Sequence, residues 1–455
     1  MAELSAEKVE IFERMPALKA VFKLAGPCIL SSIVTLIYNM ADTWFVGQTG
    51  DELQVAAVSM VFTVFFLLSA VGNLYGIGGG SLISRLLGAK QTDKVKRASA
   101  FALYAGLATA ALVSVLVFIF ARPILTVLGA SEGTYGHCYD YVIWVVVIGG
   151  IPTVATLVMS NLLRSEGYSK QAGFGIAFGG VLNMVLDPVF IFAFHLGVKG
   201  AAMATMLSNV ASTIYFLLIF RGLKGKTVLS LNIRELRADR EIIGQIYLIG
   251  LPAFISTALI SVSNTVSFNL LSRYSDVEIA AFGVTKKLDM IPMSVAGGVS
   301  NGVLPLIAYN YASGNYSRMK QGMKWAAVFG LAFAAVYICC AKLFNEELVR
   351  FFIDSESTVA VGAVFLSIEC LCAPLMSVTN LSNSTFQAMG KGIISLIFAC
   401  CQSAAVKIPM CLLMNHLLGV NGIIWANVVT ESIMVIAALC TMGVIFNKLT
   451  VPKEN

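Results

Sequence analysis

The sequence predicts an all-α polytopic membrane protein: twelve transmembrane helices in two parallel six-helix lobes related by a pseudo-two-fold axis along the membrane normal. Of its 455 residues, 58% are hydrophobic and 12% charged, and the mean hydropathy is +0.83. That is more apolar sequence than a soluble chain of this size needs. The apolar residues fall into twelve segments long enough to cross a bilayer, and the second six repeat the first at an offset of about 225 residues.

In chain order, residues 1–17 form a charged segment without the apolar core or cleavage site of a signal peptide, so the first span is expected to be retained. The first lobe, 18–220, holds spans near 18–44, 54–80, 98–121, 139–161, 173–195 and 200–220. Gly76-Ile77-Gly78-Gly79-Gly80 ends the second span. It lacks the Lys of a phosphate-binding loop and reads as close packing or a helix break. Residues 221–241 are a basic linker. The second lobe, 242–446, holds spans near 242–272, 279–309, 323–345, 359–386, 393–416 and 421–446, and 447–455 is a tail. Of the 31 Lys and Arg, 23 fall on the N-terminal side of the membrane and 5 on the other, while Lys286, Lys287 and Lys407 lie within helices. That asymmetry places both termini in the cytoplasm. The net charge of +6 therefore reads as topology, not as affinity for nucleic acid. The ten Cys include no C-x-x-C, so neither a disulfide framework nor a metal site is expected.

The repeat pairs Pro27 with Pro252, Gly72 with Gly297, Pro152 with Pro374 and Asn161 with Asn383. Six spans per half put both halves in the same orientation, so a cleft between them is the natural binding place. No loop has room for a nucleotide-hydrolysing domain, and no phosphate-binding loop occurs. Pumping would then draw on an ion gradient, which supplies about 2.3 kcal/mol per charge per 100 mV.

Within the fifth span, Asn183 and Asp187 share a helix face, and Pro188 cannot donate to the Met184 carbonyl. A carboxylate at that depth costs roughly 2.5–3.5 kcal/mol on insertion scales, which makes it a functional candidate. Asp42, at the outer end of the first span, and Thr205, just inside the sixth, lie at similar depth. Together they read as an oxygen-lined cluster suited to a hard cation. Plainer roles stand beside this: Asp42 capping a helix end, and Asp187 satisfying backbone groups freed at Pro188. In the second lobe, Glu369 and Lys407 come out near mid-membrane and read as a buried ion pair. Lys286 and Lys287 could snorkel, pair with Asp289 or line the cleft. Tyr38, Asn161, Met184, Met290, Met293 and Glu369 are the candidates for a substrate cleft, and Pro27 and Pro188 for bends. The Met residues need no function beyond apolar packing.

Several motifs are shared with one family. They are Gly26-Pro27, Ala41-Asp42-Thr43-Trp44-Phe45-Val46-Gly47, Ser81-Leu-Ile-Ser-Arg85-Leu-Leu-Gly88-Ala89-Lys90 and Leu163-Arg164-Ser165-Glu166-Gly167. Asn183-Met-Val-Leu-Asp187-Pro188, Gly200-Ala201-Ala202-Met-Ala204-Thr205 and Pro305-Leu-Ile-Ala-Tyr309-Asn310-Tyr311 complete the set. The chain resembles the multidrug and toxic compound extrusion (MATE) antiporters over nearly its whole length. The resemblance implies two six-helix lobes in a V, alternating access, and export of organic cations in exchange for Na⁺ or H⁺. In the branch with its ion site in the first lobe, the matching positions are Asp42, Asn183, Asp187 and Thr205. A second branch places acids on spans seven and ten. Here the seventh span has no acid after Glu241, and only Glu369 could serve.

The expected mechanism is competition: Na⁺ or H⁺ at Asp187, Asn183, Asp42 and Thr205 rearranges the first lobe and displaces a cationic, apolar substrate. The alternative is a flippase or exporter of a lipid-linked or anionic amphiphile. Such a protein would be expected to place several Arg in the cleft, whereas the interior cations are Lys. An intramembrane enzyme would need a nucleophile and base or a metal cluster, and neither pattern occurs. The expected setting is a bacterial cell membrane, with a monomeric chain, small organic cations as substrates, no nucleic-acid partner and no cofactor beyond the coupling ion.

Overall fold

The computed structural model describes residues 6–49, 52–237, 239–271, 273–353 and 355–450. Residues 1–5 and 451–455 of the terminal segments lie outside that set. The first lobe is built from α1 (Ala17–Gly47), α2 (Glu52–Gly88), α3 (Thr92–Ile119), α4, α5 (Ser169–Ala193) and α6 (Gly197–Gly222). The second lobe is α7 (Arg240–Leu271), α8 (Asp276–Ala312), α9 (Tyr316–Leu343), α10, α11 (Gly392–Leu418) and α12 (Val420–Thr450). Two helices are bent pairs at matching places in the repeat. α4 joins Glu132–Ile148 to Gly150–Ser165 at 47°, and α10 joins Glu356–Glu369 to Cys372–Ala388 at 44°. Among the described residues, ten helices are long and apolar enough to cross a membrane, and the bent pairs bring the number to twelve. The predicted fold class stands.

The lobes meet in a pseudo-symmetric interface: α1 packs on α8, α7 packs on α2, and α2 meets α8. Small residues set the approach. A Cβ on Gly78 of α2 would lie 2.4 Å from the Ile246 carbonyl, and one on Gly302 of α8 would lie 2.4 Å from the Ala25 Cα. The Gly76–Gly80 run therefore serves packing and not a helix break. The helix continues to Gly88, making α2 37 residues long. At 1.5 Å per residue this is roughly 55 Å, well beyond a hydrocarbon core of about 30 Å.

The face carrying the 164–170 and 221–240 loops, here called the basic face, is where the lobes are sealed. Ser81 donates to the Gln387 carbonyl at 2.6 Å, Arg85 donates to Gln245 Oε1 at 3.2 and 3.3 Å, and Tyr75 bonds Tyr247 at 2.8 Å. The N-terminal segment, helical over Ala6–Arg14, clamps the same face. Lys8 donates to the Gly167 carbonyl of the first lobe at 3.1 Å. Phe12 stacks on Tyr309 of the second lobe at 4.9 Å. Arg318 donates to the Ile11 and Met15 carbonyls at 2.9 and 2.6 Å, and also to that of Phe12. The linker is strapped to the first lobe, where the buried Glu166 carboxylate accepts from Thr227 and from the Val228 amide at 3.0 Å.

Candidate functional site

α5 is thin on its inner face. Gly175 packs under Phe216, Gly179 against Ser212 and Gly180 against Tyr38, so α5 approaches both α1 and α6 closely. That approach brings together Asn183 and Asp187 of α5, Thr205 of α6 and Asp42 of α1, which are 2%, 0%, 8% and 9% exposed. The Asn183 amide donates to Asp187 Oδ1 at 3.4 Å and to Thr205 Oγ1 at 3.2 Å. Asp42 is hydrogen-bonded by the Tyr141 hydroxyl from α4. The two carboxylates are near enough for the charge of one to act on the other. Immediately after Asp187, at Pro188, the α-helix passes into a π-helical turn over Val189–Ala193, consistent with the lost i→i−4 bond.

Asp42 Oδ1, Asn183 Oδ1 and Asp187 Oδ2 are all buried without a hydrogen-bond donor. Unspent buried acceptors are rare and costly, and the natural partner for such a group of oxygens is a cation or a proton. Among the described residues, no three His, Cys, Asp or Glu converge, so the cluster is two acids supplemented by neutral oxygens.

Between the lobes, above the seal, lies a cavity of about 500 Å³. Tyr38, Asn161, Asn183, Thr205, Met290 and Met293 line it. Asn183 and Thr205 thus belong to both the cavity wall and the oxygen cluster, while Asp42 and Asp187 stand behind them. Met184 and Glu369 do not line it. Met184 points about 100° around the helix from Asn183, and Glu369 lies inside the second lobe. Beside apolar groups such as Phe65, Phe66 and Leu157, the wall carries neutral polar side chains in stripes at helical spacing: Ser31 and Thr35; Thr153, Thr156 and Ser160; Thr205, Ser208 and Ser212. Those stripes were available in the sequence as hydroxyls recurring every three or four residues within apolar spans. Arg164 corrects the expectation that no Arg reaches the interior. It sits in the last turn of α4 and lines the cavity floor, because α4 ends beneath the cleft instead of in solvent.

The second lobe pairs its charges differently from expectation. Glu369 takes Lys286 as its ion partner, not Lys407, and accepts from the Asn427 amide at 3.1 and 2.8 Å. Lys286 also faces Asp289 at 3.5 Å. α8 carries Lys286 directly to Glu369, whereas Lys407 only senses the charges of Glu369 and Glu431 nearby. Glu431 is held by Thr379 and Gln402, each at 2.8 Å. Lys287 lies 6.0 Å from the Phe352 ring. Asp289 Oδ1 and Asn427 Oδ1 are also buried without donors here, so the lobes differ in that the second sets its main acid against a cation and the first does not.

A family model described as MatE matches the chain twice, over residues 27–189 and 252–413. The chain belongs to the MatE family. Both matched stretches fall where the repeat places them, about 225 residues apart. The multidrug export protein MepA of Staphylococcus aureus is 31% identical over 447 residues, covering 98% of each chain. MepA of Staphylococcus saprophyticus is 30% identical over 449 residues, covering 99% of this chain and 98% of that one. The fold matches an outward-facing structure of a multidrug resistance MATE family transporter of the MOP superfamily, with a TM-score of 0.93 and 22% identity over 98% and 99% of the two chains. It also matches a MOP superfamily transporter from Pyrococcus furiosus described as having a binding pocket of reversed polarity, with a TM-score of 0.87 and 22% identity over 97% and 99%. This MatE protein is accordingly a multi-pass membrane transporter of the multidrug export family and not an enzyme.

Proposed function

We propose that the chain is a secondary active exporter of small organic cations, exchanging them for Na⁺ or H⁺ held by Asp42, Asn183, Asp187 and Thr205. The observation that carries this reading is the set of three buried acceptor oxygens without donors, directly behind a cavity wall that shares Asn183 and Thr205. Two carboxylates buried in one small space need positive charge, and a monovalent cation or a proton supplies it without a dedicated metal cage. Arrival of the ion draws Asn183 and Thr205 toward the acids. Both side chains then leave their positions on the cavity wall, so ion and substrate compete through shared residues. The Pro27 and Pro188 positions allow α1 and α5 to bend as this happens.

In the same reading the basic face is cytoplasmic, as the Lys and Arg distribution argues, and both termini lie inside a bacterial cell membrane. The lobes are 18–220 and 242–446 about a linker at 221–241, and one chain suffices as the transport unit. The alternative, an exporter or flippase of a lipid-linked or anionic amphiphile, gains one observation: the charged side chain on the cavity wall is Arg164. Ethidium efflux from proteoliposomes under imposed Na⁺ or pH gradients separates the two. Efflux accelerated by one of these gradients supports the antiporter. Gradient-independent translocation of a fluorescent anionic lipid, with no ethidium movement, supports the flippase.

A further inference from the structure

The cavity wall is uneven in charge. Among the described residues lining it, Arg164 is the one charged side chain, and the rest are hydroxyls, amides and apolar groups. Arg164 stands in the floor, beside a small space between the lobes lined by Gly76, Gly80, Asn301 and Pro305. Its Nε is buried without an acceptor. Cys28 faces it from α1. No carboxylate among the described residues forms an ion pair with it. Two neighbouring Arg differ in that their terminal nitrogens are engaged: both Nη of Arg85 tie to Gln245, although its Nε too is buried without an acceptor, and Arg318 grips backbone carbonyls of the N-terminal segment. The position of Arg164 in the last turn of α4 suits the helix dipole, but that accounts for the charge and not for a guanidinium placed in the wall of a cavity.

Along α4 the cavity runs from Thr153 to Arg164, roughly 16 Å at 1.5 Å per residue. Asn183 and Thr205, backed by the two acids, also line it, so it presents a guanidinium in the floor and carboxylates behind a neutral wall. A purely cationic substrate would find one good partner here and one repulsive one.

The geometry points to Arg164 as the anion-docking group of the substrate cavity, selecting elongated amphiphiles that carry a carboxylate or sulfonate at one end and a cationic or apolar body at the other. This rests on the reading of the cavity as the substrate site. A guanidinium suits the role because it offers a rigid fork matched to a carboxylate, and its hydrogen bonds to an anion are charge-assisted.

The test uses the full-length chain in detergent and two dyes: a rhodamine methyl ester, which is cationic, and the same rhodamine with its free carboxylate, which is zwitterionic. Arg164→Gln is expected to weaken the free acid about tenfold or more while the ester stays within about threefold. Arg164→Lys should recover part of the loss. Asn301→Asp, which sets a carboxylate beside the guanidinium without removing it, should reproduce the selective loss and covers the case in which Arg164→Gln fails to fold. Equal weakening of both dyes by Arg164→Gln, no change in either, or no binding of the free acid by the unaltered protein would overturn the proposal. The readout is binding, so failure of ion coupling, seen only in sealed vesicles under a gradient, is distinguishable from failure of this assignment.

Discussion

Asn183 donates its amide to Asp187, one helical turn further on, at 3.4 Å, while its own carbonyl oxygen has no donor. An amide placed this way presents one acceptor beside a carboxylate that has another to spare. The arrangement resembles half of a coordination shell more than a closed hydrogen-bond network, in which each acceptor would be satisfied.

In the proposed ion site, Tyr141 would compete with the ion for the Asp42 carboxylate, since its hydroxyl already bonds that side chain. A hydrogen bond to a charged group is worth about 1.5–3 kcal/mol. Tyr141→Phe removes the competitor and should tighten the ion by about tenfold, read as a lower ion concentration for half-maximal dye displacement. An unchanged midpoint would place Asp42 outside the ion's reach.

Lys286 and Glu369 are the buried pair of the second lobe, with side chains 21% and 1% exposed. Removing one partner of such a pair costs about 3–5 kcal/mol. Glu369→Leu should fall at the low end of that range, because Asp289 still faces Lys286 at 3.5 Å. The Lys286→Met/Glu369→Leu double variant should recover only part of the loss, because it leaves the buried Asp289 without its cation. Unfolding in detergent, arranged as a double-mutant cycle, measures this coupling.

The twelve spans are legible in the sequence because hydropathy alone dictates them, and the repeat is legible in the ordered Pro and Gly matches. The helical spacing of Asn183 and Asp187 likewise foreshadows a shared face. What the sequence conceals depends on where helices bend and end. The 47° break in α4 delivers Tyr141 to Asp42, and the end of α4 beneath the cleft delivers Arg164 to the cavity floor. Neither follows from spacing. The exchange of Lys407 for Lys286 at Glu369 is of the same kind, since estimates of depth cannot say which helix faces which.

Gly250 of α7 meets α2 so closely that a Cβ would lie 2.0 Å from the Leu74 carbonyl. The neighbour is backbone and cannot step aside, so overpacking of about 1–3 kcal/mol is expected. Gly250→Ala should loosen the seal on the basic face. Faster amide hydrogen exchange in residues 75–88 and 242–250, with the second-lobe interior unchanged, is the expected signature.

Arg318 fastens the N-terminal segment to the second lobe through the Ile11, Phe12 and Met15 carbonyls. Arg318→Ala removes charge-assisted bonds worth about 1.5–3 kcal/mol each. Tryptic cleavage after Arg14 should then rise at least about tenfold, followed by mass spectrometry. The loosening should be partial, because Lys8 still donates to the Gly167 carbonyl at 3.1 Å, Asn310 to the Phe12 carbonyl at 3.1 Å and Tyr309 to Glu13 at 2.6 Å.

The central claim is that the first-lobe acids couple an ion gradient to export, and Asp187→Asn in proteoliposomes tests it most directly. This variant keeps the size and hydrogen-bonding shape of the side chain but removes its charge. Dye binding in detergent should stay within about threefold of the unaltered protein, while acceleration of efflux by an imposed Na⁺ or pH gradient should disappear. Gradient-driven efflux equal to that of the unaltered protein would contradict the account.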